Sequence, residues 1–575
     1  MRKGKIMVNI KDSRLQTVEQ VVCSNTGMTP PQLLNDITEY QIDGLDVAAW
    51  MIKDAIKKKK TIYIPGDYDV DGVLASGILE MSVSALGGNV IVRLPKRFSE
   101  GYGLRASMID EFEPEHLIIT VDNGITSIDA IKKAKEKGMT VIVTDHHLAA
   151  VDEVTKEPIY PDADLIIDPN AIPHSADFNG YCGAGLAYKL SIELLGKRHP
   201  LVPKLLSLAA IATIADSVPL IGENRRIVKE GLKTLITKEG TTKGIYALLT
   251  ALELDKYVSA ENIGYKIAPA LNAPGRLRND GAMDAYRLVT FDGSYLQARD
   301  LADKIIRDNT TRRELSDFWT DQVIQSIGNQ GFSYDFPIVA YIPNMPEGII
   351  GIIAGRIAEK YQSPCFLLSD ISDPELIKGS GRSYGDVHLK ELLDKNQAFI
   401  LKYGGHAPAA GLTLKRSQLD GFREALQNTL CGHPPVAIDL NSCDLKISPR
   451  EINSTMKEIL KFQPYGEGNP SPVIFIDELT LIPNGSAYYR LISNGKGVKL
   501  TSSDIEIVSF QGAEDYAKLN NPRHVRVLGT MSQNHFMGYI KNQLECRQVF
   551  PCNPVVVKSA LALALERKAQ QRYTD

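Results

Sequence analysis

Between residues 61 and about 170, short apolar runs alternate regularly with longer segments of helical character. The runs are TIYIP, NVIVRLP, HLIITV, TVIVT and DLIID. Buried runs of this length, separated by helices, are typical of parallel strands that are covered by helices on both faces of a sheet. The sequence therefore predicts a doubly wound α/β lobe with a parallel sheet in this region.

Acidic residues follow these runs, at the points where the predicted strands end. The turn GDYDVDG, residues 66–72, comes directly after TIYIP. In open α/β sheets ligands bind at the carboxyl ends of the strands, so residues distant in sequence can converge on one crevice. The residues expected there are Asp67, Asp69, Asp71, Asp122, Asp145, His146, His147 and, at the end of the helical run LLSLAAIATIADSVPL, Asp216.

This combination of carboxylates and imidazole has the chemistry of a metal site. Hard oxygen ligands suit Mg²⁺ or Mn²⁺, and an imidazole favours Mn²⁺. A shared carboxylate could bridge two ions that clamp a phosphoryl group. Taken singly, each acid is better explained as a solvated turn residue. Asp168, which also ends a run, is expected to be a turn residue. The convergence of the whole set favours the metal site.

Composition restricts the class of protein. A chain of 575 residues is too long for one hydrophobic core, and about three or four domains are expected. A net charge of −4 gives no overall basic signature, so a nucleic-acid surface would have to be a local cleft. No apolar run is long enough to span a membrane, and the seven cysteines form no C-x-x-C pair. We therefore expect a cytoplasmic protein with free thiols and no zinc site.

The remaining patterns suggest further modules. Helix formers and charge dominate the region up to about residue 330, a second α/β pattern begins at PIVAY, and short alternating strands follow it. Within the second α/β region, KGSGRSYGD is expected to be a loop. The expected segments are an N-terminal helical extension (1–60), the first lobe (61–225), a helical connector (226–330), a smaller α/β lobe (331–432), a β-barrel (433–555) and a C-terminal helix or tail (556–575).

Several motifs together carry a family resemblance. The succession GDYDVDG, VDNG, TDHH and ADSVPL resembles the N-terminal motifs of the DHH phosphoesterase superfamily. With PALNAPGRL, DNTTRRE, EGIIGIIAGRIAEKY, GSGRS, KYGGHAPAAGLTL and FQPYGEGNPSPVIF, the chain is similar to the RecJ family from about residue 60 to residue 550. The resemblance implies a DHH lobe, a DHHA1 lobe and an OB-like barrel. It also implies a metal-dependent exonuclease that degrades single-stranded DNA from the 5′ end to mononucleotides, in DNA repair or recombination.

The resemblance assigns roles to the acids and histidines of the first lobe. Asp69 and Asp122, with Asp67 contributing or lying close by, would bind one Mn²⁺ or Mg²⁺ ion. The second ion would be bound by Asp71, Asp122, His146 and Asp216. His147 would lie beside the scissile phosphate as an orienting or acidic group, and Asp145 would support the histidines. A carboxylate in that supporting position agrees with the usual partner of a metal-bound imidazole.

In the second lobe, bare glycine amides combine with a hydroxyl, a guanidinium and an imidazole, which suits a phosphate. The resemblance implies that these groups hold the terminal phosphate of the substrate or its neighbouring backbone, although a GGH sequence alone could be a simple bend. Adjacent arginines on a helix point about 100° apart, so at least one of the connector pair should be solvated. The expected substrate-binding residues are Ser380, Gly381, Arg382, Gly404, Gly405, His406, Arg276, Arg312 and Arg313.

The β-rich module is expected to bind single strands by stacking. The candidates for stacking are Tyr488, Tyr489 and Phe536, whereas Phe510 is expected in the core. The chain departs from the family at Met345-Pro346-Glu347, where many RecJ sequences have a Trp-His pair, and this puts a secondary substrate contact in doubt.

Two other functions are open to such a chain. One is a phosphodiesterase for short oligonucleotides or cyclic dinucleotides, or a pyrophosphatase, but relatives of that kind lack the OB-like module. The other is an inactive scaffold that binds single strands in a replication assembly, but inactive relatives lose ligands that are present here. Single-stranded DNA is the expected partner of a monomeric protein that has no membrane contact, with a helicase and a single-stranded-DNA-binding protein as further candidates.

Overall fold

A computed structural model describes residues 8–35, 39–152, 154–432, 441–536 and 539–552. The chain forms two compact units. One contains residues 31–438 and 464–469, and the other contains residues 1–30, 439–463 and 470–575. The expected C-terminal helix or tail at 556–575 lies outside the described residues. The N-terminal elements of the chain are β1 (Asn9–Ile10), α1 (Val18–Thr26), α2 (Pro30–Asn35) and α3 (Leu45–Lys57).

The first lobe is the parallel sheet that the sequence predicts. Its strands lie in the order β3-β2-β4-β5-β8, and every neighbouring pair is parallel. The elements are β2 (Thr61–Pro65), α4 (Val70–Ala85), β3 (Asn89–Arg93), α5 (Ala106–Ile109), β4 (Leu117–Val121), α6 (Ile128–Glu136), β5 (Thr140–Thr144), β6 (Ala150–Val151), β7 (Pro158–Ile159), β8 (Leu165–Ile167), α7 (Gly183–Leu195) and α8 (Val202–Ala215).

The strand order places a crevice between β2 and β4. The chain crosses from β2 to β3 on one side and then returns to β4 on the other side of β2. A ligand crevice forms at such a switch point because the two connections leave the sheet in opposite directions. The acidic turn follows β2 and Asp122 follows β4, so both lie at this point.

The connector is helical, as predicted. A π-helical turn (Ile263–Ile267) separates α11 from α12, and the long α14 carries the Arg312-Arg313 pair. The helices are α9 (Gly222–Leu235), α10 (Lys243–Ala251), α11 (Ala260–Asn262), α12 (Ala268–Leu277), α13 (Ala282–Thr290) and α14 (Tyr295–Gln330).

The smaller α/β lobe has a mixed five-stranded sheet in the order β12-β13-β11-β10-β9. Only β9 and β10 are parallel. The elements are β9 (Ile338–Tyr341), α15 (Glu347–Tyr361), β10 (Cys365–Asp370), β11 (Leu376–Arg382), α16 (Leu389–Lys395), β12 (Lys402–Gly405), β13 (Ala409–Lys415) and α17 (Leu419–Leu430). The expectation of a loop over KGSGRSYGD was wrong for its first half, because β11 extends to Arg382 and its residues alternate between buried and half-buried.

The second unit contains the β-rich module, a seven-stranded mixed sheet in the order β15-β16-β20-β21-β19-β18-β17. Its core includes Phe475, Leu528 and Phe550. The elements are β14 (Ser442–Cys443), β15 (Leu445–Ile447), α18 (Ile452–Lys461), β16 (Val473–Thr480), β17 (Arg490–Ile492), β18 (Gly497–Thr501), β19 (Glu506–Ser509), α19 (Ala513–Ala517), β20 (His524–Phe536) and β21 (Tyr539–Pro551).

Two further sequence expectations concern the whole chain. All seven cysteines are free thiols. Within the described ranges, no helix combines the length and the apolar character that crossing a bilayer would require. The domain boundaries proposed from the sequence stay predictions.

Candidate metal centre and phosphate-binding face

The acidic turn is folded back on itself after β2. Asp69 caps α4, because its carboxylate accepts a hydrogen bond from the Gly72 amide at 3.1 Å. A Cβ atom on Gly72 would lie 2.5 Å from the backbone nitrogen of Asp67, so only glycine permits this tight approach. Asp67 and Asp71 are buried. The turn therefore directs its carboxylates into the crevice instead of into solvent.

Asp122 is held in a strained backbone conformation at the end of β4. Its φ of 60° lies in the left-handed region, which costs a non-glycine residue about 1–3 kcal/mol. Its amide donates to the Thr144 carbonyl at 3.1 Å, and its carbonyl accepts from the Tyr102 hydroxyl at 3.0 Å. These two bonds hold the Asp122 side chain next to the acidic turn.

Asp71 is held by the N-terminus of α7. The amides of Gly183 and Ala184 donate to its two carboxylate oxygens, at 2.6 Å and 2.8 Å. The first turn of a helix carries partial positive charge and unpaired N–H groups, so it stabilises the ionised carboxylate. A Cβ atom on Gly183 would lie 2.5 Å from the Cβ atom of Asp122, so this helix can approach only because glycine stands there.

The imidazole of His146 lies among three of the carboxylates. Its Nε2 atom is 3.0 Å from an Asp122 oxygen and 3.7 Å from an oxygen of both Asp71 and Asp216. In three groups of three residues, one ligand atom per residue lies within 4.8 Å of the others. The groups are Asp67, Asp69 and Asp122; Asp71, His146 and Asp216; and Asp122, His146 and His147. Oxygen ligands with one or two imidazoles fit Mn²⁺ or Mg²⁺.

The buried carboxylates of this cluster repel one another, and a bound cation would stabilise their ionised forms. Burial, followed by the neighbouring Asp69 carboxylate, raises the pKa of Asp67 to about 8. Burial and the Asp71 and Asp69 carboxylates raise the pKa of Asp216 to about 9. The pKa of Asp122 is also well above its usual range, for the same reasons. Divalent cations would remove the repulsion that produces these shifts.

His147 lies beside the metal cluster and is oriented by Asp145. Its Nδ1 atom is 2.8 Å from an Asp145 oxygen, and the amides of Ile125 and His146 donate to the same buried carboxylate. Burial opposes protonation of His147, but the hydrogen bond and charge of Asp145 outweigh it and raise the pKa to about 9. The Tyr102 hydroxyl is 2.9 Å from Nδ1. The Asp145 carboxylate therefore favours the protonated form of His147.

Asp168 occupies the turn that the sequence suggested. Its Oδ1 atom accepts from the amides of Asn170 and Ala171, at 3.0 Å and 2.9 Å. Burial, followed by the nearby Asp145, raises its pKa to about 7. The described structure places Asp168 in none of the three groups of ligands.

A cluster of arginines lies close to the acidic cluster. Burial, then the neighbouring Arg97, Arg312 and Arg382, lowers the pKa of Arg276 to about 9. Arg97 also lies over the Tyr68 ring, 4.5 Å from its centroid. The Nε atom of Arg312 is buried, and no described residue accepts its hydrogen bond. Guanidinium groups that repel one another in this way form a site for an anion.

The sheet of the smaller α/β lobe contributes small polar groups to the same place. A Cβ atom on Gly351 of α15 would lie 2.6 Å from Arg382 Nη2 and 3.2 Å from Ser380 Oγ, so that glycine makes room for both. The ring centroid of His406 is 6.3 Å from that of His147. The phosphate-binding candidates of the second lobe therefore lie next to the metal-binding candidates of the first.

Three of the expected substrate contacts differ in their surroundings from the others. Arg313 is exposed, in agreement with the expectation that one of the connector pair is solvated. Gly381 is buried, and a Cβ atom there would lie 2.5 Å from the Phe366 ring. Gly405 adopts a φ of 146°, and a Cβ atom there would lie 2.3 Å from the Ala409 carbonyl oxygen.

The stacking candidates of the β-rich module are less open than expected. Tyr488 and Tyr489 are half-buried, and the Tyr489 ring packs 5.3 Å from the ring of the buried Tyr516. The side chain of Phe536 lies outside the described residues. Phe510 was expected in the core, and this was wrong, because half of it is exposed at the end of β19.

Family models match the three modules in the order in which they occur. The DHH family N-terminal domain matches residues 61–213, the DHHA1 domain matches 336–431, and the RecJ OB domain matches 443–548. The single-stranded-DNA-specific exonuclease RecJ of Bacillus subtilis is 32% identical over 517 residues, which are 88% of this chain and 63% of the relative. The corresponding exonuclease of Dickeya dadantii is 30% identical over 468 residues, which are 76% of this chain and 79% of the relative. This chain belongs to the RecJ family.

A solved RecJ structure confirms the fold class. RecJ of Thermus thermophilus in complex with Mn²⁺ is 26% identical and superposes with a TM-score of 0.75, over 93% of this chain and 76% of that one. The same protein in complex with Mg²⁺ is 25% identical, with a TM-score of 0.70, over 94% of this chain and 75% of that one. The chain spans only 63% of the length of the Bacillus subtilis RecJ. The expected RecJ resemblance is confirmed.

Proposed function

We propose that this RecJ-family chain is a divalent-metal-dependent exonuclease that degrades single-stranded DNA from its 5′ end and releases mononucleotides. The observation that carries the proposal is the adjacency of two clusters. The acidic cluster suits divalent cations, and the arginines with Ser380 and His406 suit a phosphate group. The names of the relatives, single-stranded-DNA-specific exonucleases, supply the substrate, and the RecJ structures with Mn²⁺ and Mg²⁺ supply the ions.

Within this function the metal ligands would be Asp67, Asp69, Asp71, Asp122, His146 and Asp216. When bound, two such ions would lower the pKa of a bound water and would stabilise the leaving oxygen of a phosphodiester. The chain itself fixes the ligands: α7 amides hold Asp71, and the Tyr102 hydroxyl holds the Asp122 carbonyl. This prior positioning means that the site reorganises little when the substrate binds.

His147 would act on the phosphate. The Asp145 carboxylate raises the pKa of His147 to about 9 and so favours the form that carries a proton. His147 can therefore donate a charge-assisted hydrogen bond to a phosphate oxygen, or give its proton to the leaving 3′ oxygen. Asp145 is the positioning residue, since its carboxylate lies 2.8 Å from Nδ1 and so orients the imidazole ring.

Ser380, Arg382, His406 and the exposed backbone at Gly404 would bind the 5′-terminal phosphate. Arg276, with Arg97 and Arg312, would bind the next phosphates toward the metal cluster. An end held in this way explains why cleavage would proceed from the 5′ terminus, one nucleotide at a time. Repair or recombination, a cytoplasmic monomer, and helicase or single-strand-binding partners stay predictions.

The test compares the two ends of the strand. Single-stranded DNA labelled at the 3′ end and carrying either a 5′-phosphate or a 5′-hydroxyl is incubated with the protein and Mn²⁺ or Mg²⁺. We expect stepwise shortening from the 5′ end and a higher kcat/KM for phosphorylated ends. Ser380→Ala and His406→Ala should each lower the ratio of kcat/KM for phosphorylated to unphosphorylated ends by about tenfold, through the loss of one contact to a charged group.

The exposed Ser417, on the same lobe, provides the matched control. Ser417→Ala should leave the ratio within about twofold of the wild type. Shortening from the 3′ end would contradict the direction of the proposed reaction. A ratio that stays the same in both Ser380→Ala and His406→Ala would remove the proposed role of the phosphate-binding face.

A further inference from the structure

The sheet that carries the phosphate-binding candidates is covered by α15 over β9 and β10, but on the same face the glycines of β12 and β13 are exposed. Antiparallel pairing aligns Gly404 with Gly411 and Gly411 with Ser380, so these three residues form one row across β12, β13 and β11. Gly411 is exposed although its strand is flanked on both sides, and a Cβ atom on Gly404 would meet nothing within 4 Å. Glycines without a covering element leave the backbone open to a ligand.

A second row lies two residues farther along the strands, on the same face. Lys402 pairs with Thr413 and Thr413 pairs with Lys378. Residues directly opposite each other in an antiparallel sheet point to the same side, and two residues along a strand span about 7 Å. This row, which we name the lysine row, therefore continues the phosphate-binding face away from the metal cluster.

The chemistry of the lysine row is that of an anion site. Among the described residues, none pairs with the Lys402 ammonium group, and Lys402 is exposed. Lys378 is 41% exposed and forms an ion pair with Glu347 of α15. The lysine row and Glu347 together carry one net positive charge.

The kind of anion follows from what the lysine row lacks. A nucleotide would need a surface on which its base can stack, and lysine and threonine offer none. The nearby Tyr403 does not supply one, since its hydroxyl bonds to Asp394 and the Lys390 ammonium lies over its ring. Phosphate groups need only cations and hydrogen-bond donors.

We propose that Lys378, Thr413 and Lys402 form a subsite for the outer phosphates of a 5′-di- or triphosphorylated strand. The inference rests on the proposed binding of the first phosphate by the Ser380 row. Water would then attack the phosphorus between the first two nucleotides, and the bond from that phosphorus to the 3′ oxygen would break. The 3′ oxygen takes up a proton and leaves on a nucleoside 5′-triphosphate. The remaining strand keeps a 5′-monophosphate.

The test uses three 3′-labelled DNA strands of one sequence, which carry a 5′-triphosphate, a 5′-monophosphate or a 5′-hydroxyl. We expect the wild-type protein to release the first nucleotide of the triphosphorylated strand as a nucleoside triphosphate. Lys402→Ala and Lys378→Ala should each lower the ratio of kcat/KM for triphosphate to monophosphate ends about tenfold. Glu347→Gln should raise that ratio about threefold, since it removes an opposing charge.

A binding measurement accompanies the assay. Fluorescence anisotropy in EDTA should show the same loss of preference for the triphosphorylated end in Lys402→Ala, without any cleavage. Lys395→Ala is the matched control, because Lys395 is exposed on α16, whose leucines pack in the core on the opposite face of the sheet. Its ratio should stay within about twofold of the wild-type value.

Three results would overturn the inference. If the wild-type protein degrades monophosphorylated strands and rejects triphosphorylated ones, the subsite does not exist, although the proposed function stands. Lys402→Ala could instead lower kcat/KM equally for triphosphorylated and monophosphorylated strands and change the number of nucleotides in the released product. In that case the lysine row binds an additional nucleotide. If none of the three strands is degraded, the proposed function fails as well.

Discussion

Replacing Asp122 by asparagine is expected to lower kcat on single-stranded DNA about 10⁴-fold, which corresponds to about 5 kcal/mol of transition-state stabilisation. Asp122 belongs to two of the three groups of possible metal ligands. Of the three carboxylates around the Nε2 atom of His146, that of Asp122 lies closest. The substitution removes one charge and keeps the shape of the side chain. Binding of the strand should be retained within a few-fold, because the phosphate-binding residues are untouched.

The control is another acidic residue of the same lobe. Asp129 is exposed in the first turn of α6, and Asp129→Asn should leave both kcat and strand binding unchanged. Single-turnover kinetics with excess protein separate the chemical step from binding and product release. Substantial cleavage by Asp122→Asn, at more than a tenth of the wild-type rate, would contradict the role assigned to this carboxylate.

Replacing Gly183 by alanine should disrupt the metal centre without changing any ligand. The added Cβ atom would lie 2.5 Å from the Cβ atom and 2.9 Å from the Cα atom of Asp122, so α7 must move away. We expect a loss of about 2 kcal/mol in the free energy of unfolding, which is typical of overpacking. We also expect kcat to fall about 100-fold, because small displacements of catalytic groups have effects of this size.

Gly185→Ala tests the same helix without the clash. A Cβ atom on Gly185 would meet its nearest neighbour, a carbon of the Tyr181 ring, at 3.5 Å, which is ordinary contact. Alanine is favoured over glycine inside a helix by up to about 1 kcal/mol, so this variant should be as stable as the wild type or more stable. Thermal unfolding and kcat should therefore separate the two variants. If Gly183→Ala and Gly185→Ala had the same thermal stability and the same kcat, the close approach of α7 to Asp122 would not be required for activity.

The arrangement of the first lobe could be predicted because two simple rules act together. Alternating apolar runs indicate parallel strands, and parallel strands bring their carboxyl ends to one edge. That argument placed the turn after β2, Asp122 and the Asp145-His146-His147 sequence in one crevice, and the structure brings them together there.

The supporting contacts could not be predicted in the same way. Gly183 is 112 residues from its partner Asp71, and Tyr102 is 45 residues from His147. No local pattern signals such pairs. Arg97 was also missed, although it lies just past the carboxyl end of β3, at the edge where the argument already looked for ligands. A search for basic residues at that edge would have found it.

Glycine concealed one strand of the second lobe. The sequence KGSGR lacks the β-branched and aromatic residues that normally indicate a strand, yet it forms part of β11. Its pairing is set by its neighbours β10 and β13, which are strongly apolar. Gly379 and Gly381 of this strand are buried, whereas the exposed glycines of the sheet, Gly404 and Gly411, lie on β12 and β13.

The central claim is that separated carboxylates and His146 jointly hold a pair of divalent cations. Crystals of the protein soaked in Mn²⁺, with anomalous diffraction data collected at the manganese edge, locate such ions without reference to activity. We expect two peaks within coordination distance of the cluster, both next to Asp122 and at least one next to His146. An absence of anomalous peaks at Asp122 and His146, under conditions in which the protein degrades DNA, would contradict the account.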